Sequence, residues 1–189
     1  SDSFLIHRKD AAVVVDRSKF DADLSKGLKV VSNTRFVGIE KDGDGYLIET
    51  DKGEYYADIV IGADGANSLL RRVTGGGENI NYFRGVQFRI KNKCKKNIVN
   101  VYIKSPFFAW AIPEDDNVMR VGIISDNPYH DLLDLLKKEN IKGEVLEKFA
   151  GVVPLGRCQT QKDRIFLVGD AACQIKPLSH GGLYYGMRC

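Results

Sequence analysis

Two short segments of the sequence combine glycine, alanine and a carboxylate. They are Gly62-Ala63-Asp64-Gly65 and Gly169-Asp170-Ala171-Ala172. A carboxylate there can accept hydrogen bonds from ribose or ribityl hydroxyl groups, while small neighbours let a ligand approach the backbone and its N–H groups. A tight Asp-Gly turn is the alternative explanation of the first segment. The second occurrence, followed by Pro177 and Gly181-Gly182, favours a cofactor site.

Each segment follows a short apolar run that predicts a buried strand. Residues 59–61 are consecutively apolar, as in a parallel strand covered on both faces, and the predicted strand at 164–168 repeats the pattern after Arg164. Ligands of open α/β sheets bind beyond the carboxyl ends of such strands. We therefore expect Asp64 and Asp170 to converge on one crevice, roofed by the segment that carries Trp110.

The remaining sequence predicts a mixed α/β fold with an inserted antiparallel sheet. Four strand-like runs fill residues 82–124, and residues 130–140 form an amphipathic helix. A helix capped by Asp16 and short strands at residues 11–15 and 28–31 are predicted near the start. The domain prediction is a partial cofactor-binding unit at 1–80, a substrate unit at 81–155, and a return to the first unit at 156–189.

Composition excludes several classes of protein. The chain has 189 residues, 43% of them hydrophobic, and a net charge of +3. These values exclude disorder and do not indicate a nucleic-acid binder. The one basic cluster, Lys91, Lys93, Lys95 and Lys96, is interpreted as a solvated hairpin turn.

Cysteine and histidine positions are equally uninformative about ligands. The four cysteines are scattered, which predicts free thiols in a reducing, cytoplasmic compartment. The three histidines lie far apart, and no metal site is visible. No apolar run approaches the length of a membrane span, and the first residues lack the features of a signal peptide.

Three stretches resemble motifs of a known superfamily. Residues 62–71 resemble the DG motif of FAD-dependent oxidoreductases of the aromatic-hydroxylase type. Gly169-Asp170 with Pro177 and Gly181-Gly182 resembles their second FAD fingerprint, and residues 15–24 resemble the helix whose arginine reaches FAD.

A fourth stretch resembles a narrower family. Residues 106–113, from Pro106 to Pro113, are similar to the PxxYxWxFP signature of the geranylgeranyl reductase family, and residues 176–185 to its glycine-rich flavin segment. Phe108 replaces the Tyr and Ile112 the Phe of the signature. Cys173 and His180 stand where the family usually has Gly.

This resemblance implies a flavin-driven reduction of C=C bonds in a polyprenyl chain. It places Arg17 at the FAD pyrophosphate, the Phe36 backbone at the adenine, Asp170 at a ribityl hydroxyl, and the N–H groups of Gly181 and Gly182 at the flavin N1–C2 edge. The cofactor-binding residues implied are Arg17, Phe36, Asp64, Gly65, Gly169, Asp170, Ala171, Pro177, Gly181 and Gly182.

The resemblance also implies an apolar, aromatic wall for the substrate, because an isoprenoid has no polar group along its length. Phe107, Phe108, Trp110 and Pro113 are the residues assigned to it, with ordinary core packing as the alternative. No residue is a convincing proton donor. Cys173, Tyr184 and Tyr185 lie in the right segment, and packing is the favoured interpretation of each.

No strand–GxGxxG–helix motif occurs in these 189 residues, so we expect an excerpt of a longer enzyme that binds FAD weakly or not at all by itself. An aromatic hydroxylase or quinone-linked dehydrogenase of the same fold, and an inactive substrate-binding module, remain alternatives. The electron donor, NAD(P)H or ferredoxin, stays open. The expected partner is an isoprenoid lipid or pigment precursor, with peripheral membrane contact consistent with so apolar a substrate. The oligomeric state is undetermined.

Overall fold

The computed structural model describes residues 4–9, 13–77, 79–104, 107–177 and 179–188, apart from the side chains of residues 104 and 107. The chain divides into two compact units, Ser1–Asn33 and Thr34–Cys189. Each is described separately.

The first unit contains one helix, α1 (Arg17–Leu24), within its described residues. The helix begins as predicted, because an Asp16 carboxylate oxygen accepts a hydrogen bond from the Lys19 N–H at 3.3 Å. The predicted strands at 11–15 and 28–31 are wrong for the residues described, which form no strand there. An apolar run becomes a strand only when another strand pairs with it, and none does so here.

The second unit starts with an antiparallel meander of β1 (Phe36–Asp42), β2 (Gly45–Thr50) and β3 (Gly53–Ala57). The turn at residues 42–45 joins β1 to β2 as the Asp-Gly sequence predicts. Tyr46 of β2 is 6% exposed and packs with Leu70, Ile165 and Leu167 in one of two core clusters.

Three further strands form a small mixed sheet. The order is β10 (Gln161–Lys162), β11 (Ile165–Leu167) and β4 (Val60–Gly62), with β11 and β4 parallel. The predicted parallel pairing is therefore confirmed. The predicted burial of β4 on both faces is not confirmed, because Ile61 remains 65% exposed. Helix α2 (Leu69–Val73) follows β4 and packs closely against it, since a side chain at Gly62 would place its Cβ 2.6 Å from Leu70.

The largest sheet is antiparallel and confirms the predicted change of architecture. Its spatial order is β6 (Asn100–Lys104), β7 (Phe107–Pro113), β8 (Val118–Ile124), β5 (Asn79–Lys91) and β9 (Glu144–Arg157). The sequence predicted the first four of these strands. Strand β9 was missed, because its exposed, charged residues lack the alternation typical of a strand.

One face of this sheet is closed by α3 (Pro128–Lys138), close to the predicted helix. Leu132 of α3 is fully buried against Val121 and Phe88, which form the second core cluster. Alternate residues of the same strands point to the opposite face.

The last elements are a short 3₁₀ helix (Gly169–Ala172) after β11 and α4 (Leu183–Gly186). Within the described residues, the structure contains no helix with the length and apolar character that crossing a membrane would require.

Candidate active site

The two glycine- and acid-containing segments lie side by side. Gly62 at the end of β4 is the parallel partner of Leu167 at the end of β11, and the Val168 N–H donates to the Gly62 carbonyl at 2.9 Å. Asp64 and Asp170 follow these positions directly. The predicted convergence of the two segments is confirmed.

At the first strand end, Asp64 is engaged with the helix that follows. One oxygen of its carboxylate accepts hydrogen bonds from the N–H groups of Leu69 at 2.7 Å and Leu70 at 3.1 Å. Gly65 has φ +79° and closes a tight turn, because its carbonyl accepts the Ser68 N–H at 3.1 Å. The local geometry is thus that of the Asp-Gly turn considered from the sequence, and the second oxygen of Asp64 makes no hydrogen bond to a described residue.

A buried arginine joins the two segments. Arg71 is 1% exposed, and one terminal nitrogen donates to the carbonyl of Ala171 at 2.6 Å and that of Asp170 at 3.3 Å. The other donates to the carbonyl of Ala66 at 2.6 Å and to the Tyr82 hydroxyl at 2.8 Å. We call this arrangement the Arg71 clasp.

Arg71 had no predicted role of its own. The sequence feature that could have indicated a role is the position of this arginine, in the first turn of a helix that follows a predicted ligand-binding turn. A guanidinium carries five N–H donors in a rigid plane, so it can satisfy carbonyls from two loops at once.

At the second strand end, Asp170 lies against the glycine-rich segment. A side chain on Gly182 would place its Cβ 2.6 Å from a carboxylate oxygen of Asp170, so only glycine permits this approach. Gly181 and Lys176 close a loop through the Lys176 N–H, which donates to the Gly181 carbonyl at 3.1 Å. Pro177 is exposed in that loop, and Ala171, which follows Asp170, is fully buried.

His180 connects this loop to the large sheet. Its ring stacks on Phe83 of β5, with centroids 5.3 Å apart, and lies 5.5 Å from the Phe108 ring of β7. Its Nδ1 is buried with no hydrogen-bond partner among the described residues, and burial lowers the imidazole pKa. The ring is therefore neutral near pH 7.

Trp110 lies on the same sheet face as Phe108, with ring centroids 5.5 Å apart. Its strand partner is Gly122 of β8, and Gly122 is also the partner of Gln87 on β5. The indole crosses above Gly122, where any Cβ would overlap it, and its Nε1 donates to the Gln87 Oε1 at 2.9 Å. We call Phe83, Gln87, Phe108, Trp110 and Gly122 the aromatic face.

The other residues assigned to the substrate wall have different places. Pro113 is buried on the opposite side of the strand, where its partner is the core residue Met119, so it does not share the face of Trp110. The reason is the strand's period of two. Phe107 begins β7, and its side chain lies outside the described part. Pro106 also lies outside the described residues.

Two further residues assigned to the cofactor belong to different units, Arg17 to the first and Phe36 to the second. Within the first unit, the exposed Arg17 guanidinium binds the Asp21 carboxylate through two hydrogen bonds of 3.1 Å. Phe36 begins β1, and its ring packs against the cluster around Tyr46.

The three proton-donor candidates also differ in setting. Burial, with the neighbouring Cys158 thiol, raises the pKa of Cys173 to about 11, so this thiol is a weak acid. Tyr184 and Tyr185 are 55% and 43% exposed in α4. No hydrogen bond, ion pair or ring contact links any of these three side chains to the aromatic face within the described residues.

No family model matches the sequence. The chain is 33% identical to an uncharacterised protein of Methanocaldococcus jannaschii, an alignment covering 93% of this chain and 51% of that protein. It is 27% identical to digeranylgeranylglycerophospholipid reductase 1 of Methanothermobacter thermautotrophicus, with 95% and 52% covered. The chain thus spans about half the length of the curated relatives it matches.

Two solved structures share the fold. A geranylgeranyl bacteriochlorophyll reductase-like protein from Thermoplasma acidophilum superposes with a TM-score of 0.78 at 24% identity, covering 91% of this chain and 51% of that one. The flavin-dependent halogenase CmlS gives 0.73 at 22% identity, with 94% and 38% covered.

These matches confirm the predicted mixed α/β fold, which the chain shares with the reductase-like protein and the flavin-dependent halogenase. They also confirm the resemblance to the geranylgeranyl reductase family, because homologues along nearly the whole chain carry that kind of name.

Proposed function

We propose that this chain provides a cofactor cradle and a substrate wall for flavin-dependent saturation of C=C bonds in geranylgeranyl chains of lipid or pigment precursors. The observation that carries the proposal is the contact between the His180 and Phe108 rings, whose centroids lie 5.5 Å apart. It joins the segment assigned to the flavin to the strand assigned to the prenyl chain. Hydride transfer requires donor and acceptor in direct contact, which such a junction favours.

The strand ends fit a flat cofactor that lies against backbone. Gly65 and Gly169 both have positive φ, and a Cβ on either would project into open space. A ligand could therefore approach both turns without meeting a side chain from these positions. When bound, reduced FAD supplies the hydride that saturates the double bond.

Within this proposal, Asp170 accepts a hydrogen bond from a ribityl hydroxyl, and the N–H groups of Gly181 and Gly182 face the electron-rich edge of the flavin. Asp64 and Gly65 lie toward the pyrophosphate, with Gly169, Ala171 and Pro177 shaping the same cradle. Arg17 pairs with the pyrophosphate and the Phe36 backbone with the adenine.

The substrate part of the proposal rests on the aromatic face. Phe108 and Trp110 are only partly buried, unlike the residues that α3 covers, so they are available to a ligand. The Trp110 N–H is already bound to Gln87, which leaves an apolar indole surface for a chain without polar groups.

The direct test uses protein expressed from the complete gene. The flavoprotein is reduced chemically and incubated with a geranylgeranyl glycerolipid, and the product is analysed by mass spectrometry. We expect the lipid to gain two hydrogen atoms for each double bond saturated. Oxygen-dependent hydroxylation of an aromatic substrate, with the lipid unchanged, would instead support the hydroxylase alternative.

The cofactor cradle has a readout separate from turnover. In the same protein, Asp170→Asn should lower the flavin that remains bound after gel filtration by about tenfold, because a charge-assisted hydrogen bond is lost. Asp163→Asn is the matched control, since Asp163 lies in an exposed turn and asparagine tolerates its φ of +51°. Equal flavin content in both variants would remove Asp170 from the cradle.

A further inference from the structure

The outermost strand of the large sheet exposes apolar side chains beside the aromatic face. In β6, Val101 is 59% exposed and Ile103 is 78% exposed. Their partners on β7 are Trp110 and Phe108, and paired residues of antiparallel strands share a face. The apolar surface around Trp110 therefore continues outward to the free edge of the sheet.

The connection that leads into β6 is strongly basic. Lys93, Lys95 and Lys96 are exposed there, and Lys91 is exposed at the end of β5. No ion pair within 4 Å holds any of these lysines in the part of the chain that the structure describes. Opposing charge comes from Asp115 and Asp116 in the turn beside Cys94 and from Glu144, the strand partner of Lys91. The four lysines outnumber these three acids, so the segment keeps a positive excess.

We propose that β6 and this lysine segment dock on a lipid bilayer that carries anionic headgroups. Val101 and Ile103 would enter the boundary between headgroups and acyl chains, while the lysines stay at the level of the phosphates. Exposed apolar side chains and basic residues reinforce each other in this way at membrane surfaces.

Charge complementarity selects the bilayer over a second copy of the chain. If two β6 edges paired, they would bring two sets of lysines together, and like charges at an interface oppose association. An anionic surface meets the same lysines with opposite charge, and it accepts apolar side chains without needing a shaped pocket.

The test is co-sedimentation of the 189-residue chain with vesicles of phosphatidylcholine, with and without phosphatidylglycerol. We expect binding to the anionic vesicles that weakens as salt is added. Val101→Ser with Ile103→Ser, and separately Lys95→Glu with Lys96→Glu, should each weaken binding by about tenfold or more. All four positions are exposed, so the core is left intact.

Matched controls lie elsewhere on the surface. Val37→Ser changes an exposed valine of β1, and Lys41→Glu with Lys52→Glu reverses two exposed lysines of the β1–β3 meander. These variants should sediment like the unmodified chain. Circular dichroism melts of all variants verify that they are folded.

Three outcomes would overturn the docking inference. The first is that the chain does not bind anionic vesicles, and the second is that the control variants lose binding as much as the test variants do. The third is that sedimentation velocity shows a dimer, that Val101→Ser with Ile103→Ser dissociates this dimer, and that the chain does not bind vesicles. None of these measurements involves flavin or prenyl reduction, so the result is independent of the proposed reaction.

Discussion

Two long side chains join separate elements in this protein, and they do so in opposite ways. Arg71 is buried and satisfies carbonyls from two loops through hydrogen bonds. Trp110 is partly exposed, makes one hydrogen bond to a side chain, and rests on the bare backbone of Gly122 beside the Phe108 ring. Arg71 therefore holds the backbone of two loops in place, while Trp110 presents an apolar surface.

The difference follows from what each region has to do under the proposed function. A cofactor cradle built from backbone N–H groups requires loops that do not move, so buried and fully satisfied hydrogen bonds suit it. An apolar chain is recognised by shape and area, so a broad indole held at one point suits its wall. Substitutions at the two places should therefore differ in both size and kind of effect.

The largest effect is expected from Arg71→Leu. Loss of the guanidinium leaves the carbonyls of Ala66 and Ala171 without their donors, and we expect the free energy of unfolding to fall by about 2–5 kcal/mol. Urea denaturation followed by circular dichroism measures it. Arg72→Leu is the control, because the exposed Arg72 makes one hydrogen bond of 3.4 Å and should matter by about 0.5 kcal/mol or less. Similar losses in both variants would contradict the clasp.

Gly122→Ala should have the next largest effect. The added methyl group overlaps the indole, so Trp110 has to tilt away from the sheet, at a cost of about 1–3 kcal/mol. Trp110 is the single tryptophan of the chain, so its fluorescence emission reports the movement directly. Gly85→Ala is the matched control on β5, because its Cβ would meet Ile124 at an ordinary 3.5 Å. An unchanged emission spectrum in Gly122→Ala would show that the indole does not rest there.

Gln87→Leu isolates the hydrogen bond from the packing. The Trp110 Nε1–H loses its acceptor, and we expect about 1 kcal/mol of destabilisation with an altered tryptophan emission. Gln87→Glu retains an acceptor oxygen at nearly the same length and should keep the indole in place. If the leucine variant matches the unmodified chain in both measurements, the hydrogen bond does not orient Trp110.

The smallest expected effect concerns pH at the junction between the two regions. Burial lowers the His180 pKa in the folded chain, so the unfolded chain binds the proton more readily. Below about pH 6.5, the ordinary pKa of histidine, stability should therefore fall as the pH is lowered. Urea midpoints at several pH values should fall less steeply in His180→Asn, since asparagine accepts the left-handed backbone at φ +53° and does not titrate. His130→Asn, at an exposed position, is the control. If the urea midpoints of His180→Asn fall with pH as steeply as those of the unmodified chain, the pH dependence does not come from His180.

Much of the architecture was predictable because local patterns agreed with the final contacts. The apolar run at residues 59–61 lies at a strand, β4, that pairs in parallel with β11, so the two segments that carry the acids lie side by side as expected. The alternating runs between residues 82 and 124 form the antiparallel sheet. In each case the apolar pattern within the segment and the strands that pair with it favour the same secondary structure.

The failures come from features that depend on tertiary contacts. Strand β9 is held by pairing with β5 along its length rather than by its own apolar pattern. Arg71 looked like an ordinary helix arginine, since nothing local reveals carbonyl partners about a hundred residues away. Pro113 was grouped with Trp110 by the family signature, although the strand's alternation places it on the other face.

The Arg71 clasp also bears on how this molecule can be modified by recombination. The two turns it joins are far apart in the gene, yet one guanidinium supplies hydrogen-bond donors to both. Transplanting either turn into another protein without its counterpart would leave the arginine or the carbonyls without hydrogen-bond partners. Chimeras of this fold should therefore exchange the two turns and the arginine together, as one inherited unit.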